Sequence, residues 1–194
     1  MTRPHHRPLL PGSDLFEEAD SGSDPALVSE AADRAATLLV RGARESGDAD
    51  IADRILHLAD TEGLETLADV WAGSPADSLA GCLWRLYVLR TWVYADPHLA
   101  AEQYDAGRAS AQFARVVAGV ADPPGPEQLQ AMVDEVLRGI VHGDFADVLI
   151  RASAFARVVA AGRAVRNEPD AVQMLTVAEQ LESAAHQELR HELA

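Results

Sequence analysis

The stretch of the chain richest in residues that could bind a ligand is GCLWRLYVLRTWVY, which covers Gly81–Tyr94. Guanidinium groups beside aromatic rings can hold an anionic or planar molecule when they line a pocket. Five side chains in this stretch have the required chemistry, so the sequence offers a hypothetical small-molecule site along one helix. They are Trp84, Arg85, Tyr87, Arg90 and Trp92.

The two arginines also have a structural interpretation, which we favour. The helix around them is apolar on all sides, so it is expected in the middle of the fold. Arg85 and Arg90 would then lie among buried rings, where an unpaired charge is costly. We therefore expect them to bind acidic side chains or helix C-terminal carbonyls, with Arg90 stacked near Tyr94.

No motif in the sequence identifies an enzyme. The phosphate-binding, dinucleotide-binding, zinc-protease, serine-hydrolase and dithiol signatures are all absent. An active site can also be assembled from distant positions, so an enzyme of unrecognised class stays open. The single cysteine, Cys82, lies in an apolar stretch and is expected to be a buried, inert thiol. The sequence therefore indicates no catalytic residue and no cofactor.

Two groups of potential metal ligands have ordinary explanations. The three aspartates between residues 48 and 53 crowd a helix start, where the helix dipole favours acidic residues, and they lack the glycine and glutamate of a calcium loop. Near the C-terminus, His186 and His191 are about 140° apart around a helix and do not converge on one ion. We expect them and the neighbouring Glu188 to be solvated surface. The sequence therefore predicts no metal site.

The charge of the chain argues against binding to nucleic acid or membranes. Its 31 acidic and 16 basic residues give a formal net charge of −15, whereas nucleic acid and anionic lipid are bound through cationic contacts to phosphate. A helix-turn-helix fitted to Ala49–Trp71 would read DNA with a helix that has no basic residue. No apolar run reaches the roughly 18–20 residues that span a bilayer, and no export signal is recognisable. We expect a cytoplasmic protein that binds neither nucleic acid nor membrane.

Composition and helix punctuation predict an all-α fold. Hydrophobic residues make up 48% of the 194 positions and aromatic residues only 5%, and the predominance of alanine favours helices over sheets. Start and stop signals predict a single domain of about seven or eight helices over residues 24–194, with a central apolar helix near residues 76–94. Residues 1–23, rich in proline and polar residues, are predicted to be a flexible tail.

All basic residues are arginine, which together with abundant Ala, Val, Asp and Gly indicates a GC-rich bacterial genome.

Helix boundaries are predicted from a capping residue followed by proline, which suits the first helical position. Gly42 predicts the end of the first helix, and Asp144 predicts the start of another. Glu127–Val141 has a nearly continuous apolar face. The predicted capping pairs and segments are Asp24-Pro25, Ser74–Asp77, Asp96-Pro97 and Glu168-Pro169.

The hexapeptide FARVVA occurs twice, at Phe113–Ala118 and Phe155–Ala160. On a helix its Phe and two Val residues share one face, and the alanines beside them let another helix approach closely. The sequences around the two copies do not repeat, so we interpret them as one packing solution reached twice. Both copies are predicted to form core faces, the first within the helix that starts at Asp96-Pro97.

The C-terminal helix gives the main indication of a partner, because it carries an alanine-rich stripe with near-heptad spacing. Such a stripe can pack on its own domain or cross a two-fold dimer axis, and the sequence leaves both open. We expect a non-catalytic interaction or accessory protein that binds a protein partner or forms a homodimer. The alternative is a regulatory domain that binds a small molecule beside Trp84, Tyr87 and Trp92. The stripe consists of Ala171, Met174, Ala178, Leu181, Ala185, Leu189 and Leu193.

Overall fold

The computed structural model describes residues 25–42, 71–119, 125–142, 144–191 and 193, and in these ranges the chain forms an all-α bundle without strands. The predicted tail at residues 1–23 and nearly all of the segment fitted as a helix-turn-helix lie outside the described residues. A π-helical segment, Leu38–Gly42, continues the first helix. Numbered in chain order, the described helices are α1 (Pro25–Thr37), α2 (Leu79–Ala95), α3 (Pro97–Arg108), α4 (Gln112–Ala118), α5 (Pro126–His142), α6 (Phe145–Val165) and α7 (Ala171–Leu189).

Several predicted helix starts are confirmed, and their capping bonds show why the chain begins a helix there. The carboxylate of Asp96 accepts a hydrogen bond from the Leu99 amide at 2.9 Å, and Pro97 is the first residue of α3. The carboxylate of Asp144 accepts one from the Ala146 amide at 3.0 Å. Helix α1 begins at Pro25, as predicted.

Two predicted starts are wrong by a few residues. Helix α2 begins after Ser78, whose hydroxyl accepts a hydrogen bond from the Gly81 amide at 3.1 Å, so the cap lies four residues beyond Ser74. Helix α7 begins after Asp170 rather than at Glu168. The reason is that Asn167 and Asp170 both have positive φ, 54° and 65°, which interrupts the helical backbone between α6 and α7.

Two apolar helices build the core of the described bundle. Helix α2, the predicted central helix, buries eight of its 17 residues. Helix α6 buries thirteen of its 21, and α3, α4, α5 and α7 all pack on it. Since α6 is apolar over most of its surface, most of that surface must be covered by other helices.

Helices α3 and α6 cross with their backbones in direct contact. A Cβ atom on Gly107 would lie 2.6 Å from the amide nitrogen of Gly162 and would overlap the carbonyl oxygen of Val158. A Cβ atom on Gly162 would overlap the carbonyl oxygen of Gln103. Glycine is required at both positions because no other residue leaves room for the approach.

The two FARVVA copies have different environments. The second copy, within α6, buries five of its six residues. The first copy is not part of the helix that starts at Pro97, as predicted, because α3 ends at Arg108 and α4 is a separate short helix. In this copy Ala114 and Ala118 are buried, whereas Val116 is 72% exposed, so the predicted core face at Val116 is wrong. The physical reason is that α4 is a surface helix, covered by α6 on one side.

None of the helices in the described ranges has both the length and the apolar character that a membrane crossing demands.

Candidate functional site

The predicted ligand-binding residue Arg85 links two helices of the bundle. Its Nε donates a hydrogen bond to Oε1 of Gln180 in α7 at 2.6 Å, and its Nη1 donates one to the carbonyl of Gly81 at 2.7 Å. Burial lowers the pKa of the Arg85 guanidinium. The bond to Gln180 joins α2 to α7, whereas the bond to Gly81 lies within α2. The predicted acidic side chain or helix C-terminal carbonyl is thus replaced, in the bonds shown, by a glutamine and by a carbonyl near the start of the same helix.

Arg90 connects α2 to α5 in the way that the structural interpretation predicts. Its Nε lies 3.2 Å from Oδ1 of Asp134, and its guanidinium carbon lies 4.3 Å from the centroid of the Tyr94 ring. The Tyr94 hydroxyl donates a hydrogen bond to the other oxygen of Asp134 at 2.6 Å. Desolvation, and next the bond to Asp134, raise the pKa of Tyr94. The predicted stacking of Arg90 near Tyr94 is therefore confirmed.

The three predicted aromatic residues do not gather around one space. Trp84 and Tyr87 stack on each other, with their ring centroids 5.9 Å apart. Trp92 instead packs on Phe155 of α6 at 6.3 Å, and the guanidinium of Arg163 lies 4.9 Å from its ring centroid. Arg85, Arg90 and Trp92 thus contact three different helices, α7, α5 and α6 respectively. Trp84 and Tyr87 contact each other within α2.

The space between α2, α5 and α6 is a filled core. The cavity found there has a volume of about 10 Å³, which is room for one water molecule at most. Helix α2 therefore borders no cavity large enough for a small molecule on this side. The cavity is lined by Leu86, Leu89, Met132, Val133, Val136, Ala152 and Phe155.

Cys82 is a buried thiol, as predicted. It is fully inaccessible to solvent, and its Sγ lies 3.6 Å from the carbonyl oxygen of Ala76, to which it donates. Burial raises the pKa of Cys82 to about 12. Because the thiolate is the reactive form, Cys82 is inert in the folded protein.

Glu188 corrects the prediction that the C-terminal cluster is solvated surface. His186 and His191 are exposed, but Glu188 is only 3% exposed. Its two oxygens bind Nη1 and Nη2 of Arg41, the latter at 2.7 Å, and this bond raises the pKa of Arg41. Arg41 lies in the π-helical segment after α1, so the ion pair joins that segment to the end of α7.

Among the described residues no three His, Cys, Asp or Glu side chains group as a metal site.

A much larger space is an open groove of about 520 Å³ between α4 and α7, with the C-terminal half of α6 as its floor. We call it the α4–α7 groove. Its walls come from the start of α4 and the first turns of α7, and its floor is mostly alanine. The lining residues are Ser110, Ala111, Gln112, Ala114, Arg157, Ala160, Ala161, Ala164, Ala171, Val172 and Leu175.

The α4–α7 groove is apolar and accessible. On its α7 wall, Val172 is 75% exposed and Leu175 is 36% exposed. Arg157 is the one charged side chain among the described lining residues, and it forms an ion pair with Glu182. An apolar recess edged by exposed aliphatic side chains is typical of a binding surface.

Sequence reasoning identified α7, but of the α7 residues that line the groove only Ala171 belongs to the predicted stripe. In the predicted stripe Met174, Ala178, Leu181 and Ala185 are buried, and α7 packs extensively on α6, so this stripe is used within the chain. Leu189, a predicted member, is 55% exposed. Val172 and Leu175 lie off the stripe. These two aliphatic residues are the feature of the sequence that could have indicated a second apolar face on α7.

No protein-family model, curated protein or solved structure matches this chain.

Proposed function

We propose that this protein is a non-catalytic interaction protein that binds a helix of a protein partner in the α4–α7 groove. The observation that carries the proposal is the contrast between two regions of the structure. The core beside α2 is filled to within about 10 Å³, whereas the α4–α7 groove leaves about 520 Å³ open beside aliphatic side chains.

The dimensions of the groove suit a helix. Its floor runs along α6 from Arg157 to Ala164, which at 1.5 Å per residue is about 10 Å, or two helical turns. Alanines in the floor let a second backbone approach closely, and helices that dock in grooves use apolar residues spaced over two turns. Burying the exposed part of Val172 would contribute about 1–2 kcal/mol to such a complex.

The chemistry of the groove supports binding rather than catalysis. A catalytic site requires at least two titratable groups that converge on a substrate. Among the described lining residues only Arg157 is titratable, and its guanidinium already pairs with Glu182. The polar residues Ser110 and Gln112 can supply hydrogen bonds at one end.

A small molecule is the second candidate ligand, and the volume of the groove favours it. Pockets for small ligands have volumes of about 300–1,000 Å³, and the groove lies within that range. Such a ligand would bind here rather than beside Trp84, Tyr87 and Trp92. Native mass spectrometry of the intact protein would then show a bound compound that is lost when Ala164→Glu fills the groove.

Site-specific photo-crosslinking tests the proposed function. Ala164→Cys places a thiol in the groove, and Ala131→Cys places one on an exposed position of α5 as a matched control. A thiol-directed photo-crosslinker will label only the new cysteine because Cys82 is buried with a raised pKa. Labelled protein is illuminated in an extract of the source cells.

We expect a crosslinked protein product from position 164 and none from position 131. The product should disappear when Leu175→Glu is added to Ala164→Cys, because a charge on the wall opposes an apolar partner. Equal crosslinking from both positions, or no product from position 164, would overturn the proposed function.

A further inference from the structure

We propose that Gln103 and Glu168 are positioning residues for the α4–α7 groove. Together they fix the start of α7, and with it the wall that carries Val172 and Leu175, at its distance from α4. Neither of the two lines the groove, so each acts through the position of this wall. Their role rests on the proposed function, because the wall belongs to the same groove, and it is the same whichever partner binds there.

The start of α7 is held only weakly by its own packing. Among residues 171–177, all of which the structure describes, only Met174 is buried. Asp170, the residue before the helix, has a φ of 65°, and its side chain forms no capping hydrogen bond. The position of the wall therefore depends on contacts made just before the helix begins. The other buried residues of α7 come later, and they are Ala178, Leu181, Ala184, Ala185 and Glu188.

Glu168, in the turn between α6 and α7, ties this turn to α3. One of its carboxylate oxygens accepts a hydrogen bond from Nε2 of Gln103, and the other accepts one from Nε of Arg166. Gln103 lies in α3 and is only 3% exposed. Because a buried amide without a partner is costly, the burial of Gln103 favours the conformation of the turn in which Glu168 meets it.

Arg163 fixes the direction in which the Gln103 amide points. Its Nε donates a hydrogen bond to Oε1 of Gln103 at 2.9 Å, and its guanidinium lies over the ring of Trp92. A guanidinium can only donate, and an ionised carboxylate can only accept. The amide oxygen must therefore face Arg163 and the amide nitrogen must face Glu168, so only one orientation of the amide satisfies both neighbours.

Gln103 is itself anchored at the close crossing of α3 and α6. Its backbone carbonyl lies so near Gly162 that a Cβ atom there would overlap it. Closely packed backbones of this kind leave little room for movement. A continuous set of contacts thus runs from this crossing through Gln103 and Glu168 to the start of α7, and it sets the width of the groove.

Spin labels on the two walls test this role in the full chain. Val116→Cys on α4 and Gln173→Cys on α7 place the labels at exposed positions that do not line the groove, and the buried Cys82 stays unlabelled. Double electron–electron resonance then measures the distance between the labels. In this background Gln103→Leu and Glu168→Leu should each shift the mean distance by about 1–2 Å, the usual size of a helix shift, and widen its distribution.

Two further variants separate positioning from a general loss of stability. Glu168→Gln keeps an oxygen that can accept from Gln103 and should restore the distance found in the unaltered chain. Asp134→Leu removes the acceptor of the bonds from Arg90 and Tyr94, away from the residues that line the groove. It should lower the Tm without changing the distance. An unchanged distance in Glu168→Leu, or an equal shift in Glu168→Gln or Asp134→Leu, would overturn the positioning role.

The crosslinking experiment separates this role from the proposed function. A product from position 164 that Glu168→Leu weakens and Glu168→Gln recovers supports both. A product that Glu168→Leu leaves unchanged supports the proposed function and overturns the positioning role. If position 164 gives no product in the otherwise unaltered protein, the proposed function is overturned, and the label distances still decide whether Gln103 and Glu168 hold the start of α7.

Discussion

Substitution of Gly162 by alanine tests the backbone crossing of α3 and α6, on which the shape of the bundle depends. The new Cβ would overlap the carbonyl oxygen of Gln103 and lie 2.7 Å from its carbonyl carbon, and 3.0 Å from the amide nitrogen of Gly107. All of these are backbone atoms, so no side chain can rotate away. Since carbon atoms pack at about 3.5–4.0 Å, α3 must move outwards by about 1 Å.

The size of the loss follows from what α3 holds in place. A gap of about 1 Å forfeits up to half of the dispersion energy across it, and the affected residues include Tyr104, which stacks on Phe155 with centroids 5.6 Å apart. Overpacking of this kind costs about 1–3 kcal/mol or more. Because the colliding groups are backbone atoms, we take the upper end of this range, about 3 kcal/mol. Alanine recovers about 1 kcal/mol of helix propensity, which leaves a net loss of about 2 kcal/mol and a Tm lower by roughly 4–8 °C.

Two further glycines provide controls for Gly162→Ala. At Gly73 a Cβ would meet nothing within 4 Å, and at Gly139, in α5, it would lie 2.9 Å from Cγ2 of the buried Val148 side chain, which is a methyl group rather than backbone. Both alanine variants should lie within about 1 kcal/mol of the unaltered protein in urea unfolding. If Gly162→Ala is as stable as these two, the close crossing of α3 and α6 is wrong.

Two other predictions concern ion pairs. Arg41→Met leaves the carboxylate of Glu188, which is only 3% exposed, without its bidentate partner, and should lower the free energy of unfolding in urea by about 2–4 kcal/mol. As a control, Arg34→Met removes an exposed ion pair with Glu30 and should lower it by less than about 1 kcal/mol. Equal losses in the two variants would contradict the role of the buried ion pair. The hydrogen bond from Arg166 holds the pKa of Glu168 below its ordinary value of 4.5, so this carboxylate stabilises the fold fully above that value and the contribution is lost as the pH falls through the lowered pKa. Glu168→Gln should therefore flatten the fall of Tm between about pH 5 and pH 3, and an unchanged pH profile would show that Glu168 gains nothing on folding.

The local signals of the sequence determined much of the fold. A capping side chain binds backbone amides within one helical turn of itself. The helix starts at Asp24-Pro25, Asp96-Pro97 and Asp144 could therefore be predicted without knowing which helices pack against them. The same holds for the buried thiol of Cys82, because its surroundings in the chain are apolar. The starts of α2 and α7 were displaced because Ser78 and the positive φ of Asp170 compete with the nearby proline pairs.

The partners of charged and apolar side chains were decided by the tertiary structure. Glu188 occurs among polar residues of α7, and its burial follows only from the approach of Arg41, 147 positions earlier. The first FARVVA copy resembles the second, yet α4 is covered on one side and leaves Val116 exposed.

The sequence by itself therefore determined the class of fold, most of the described helix boundaries and the apolar character of α2. Only the packing of α4 and α7 on α6 decided that an open apolar groove lies beside Val172 and Leu175. The physical reason is that periodicity shows which face of a helix is apolar, whereas a groove forms where two helices on the same floor stand too far apart to touch. That separation depends on the whole bundle and on no single segment of the chain.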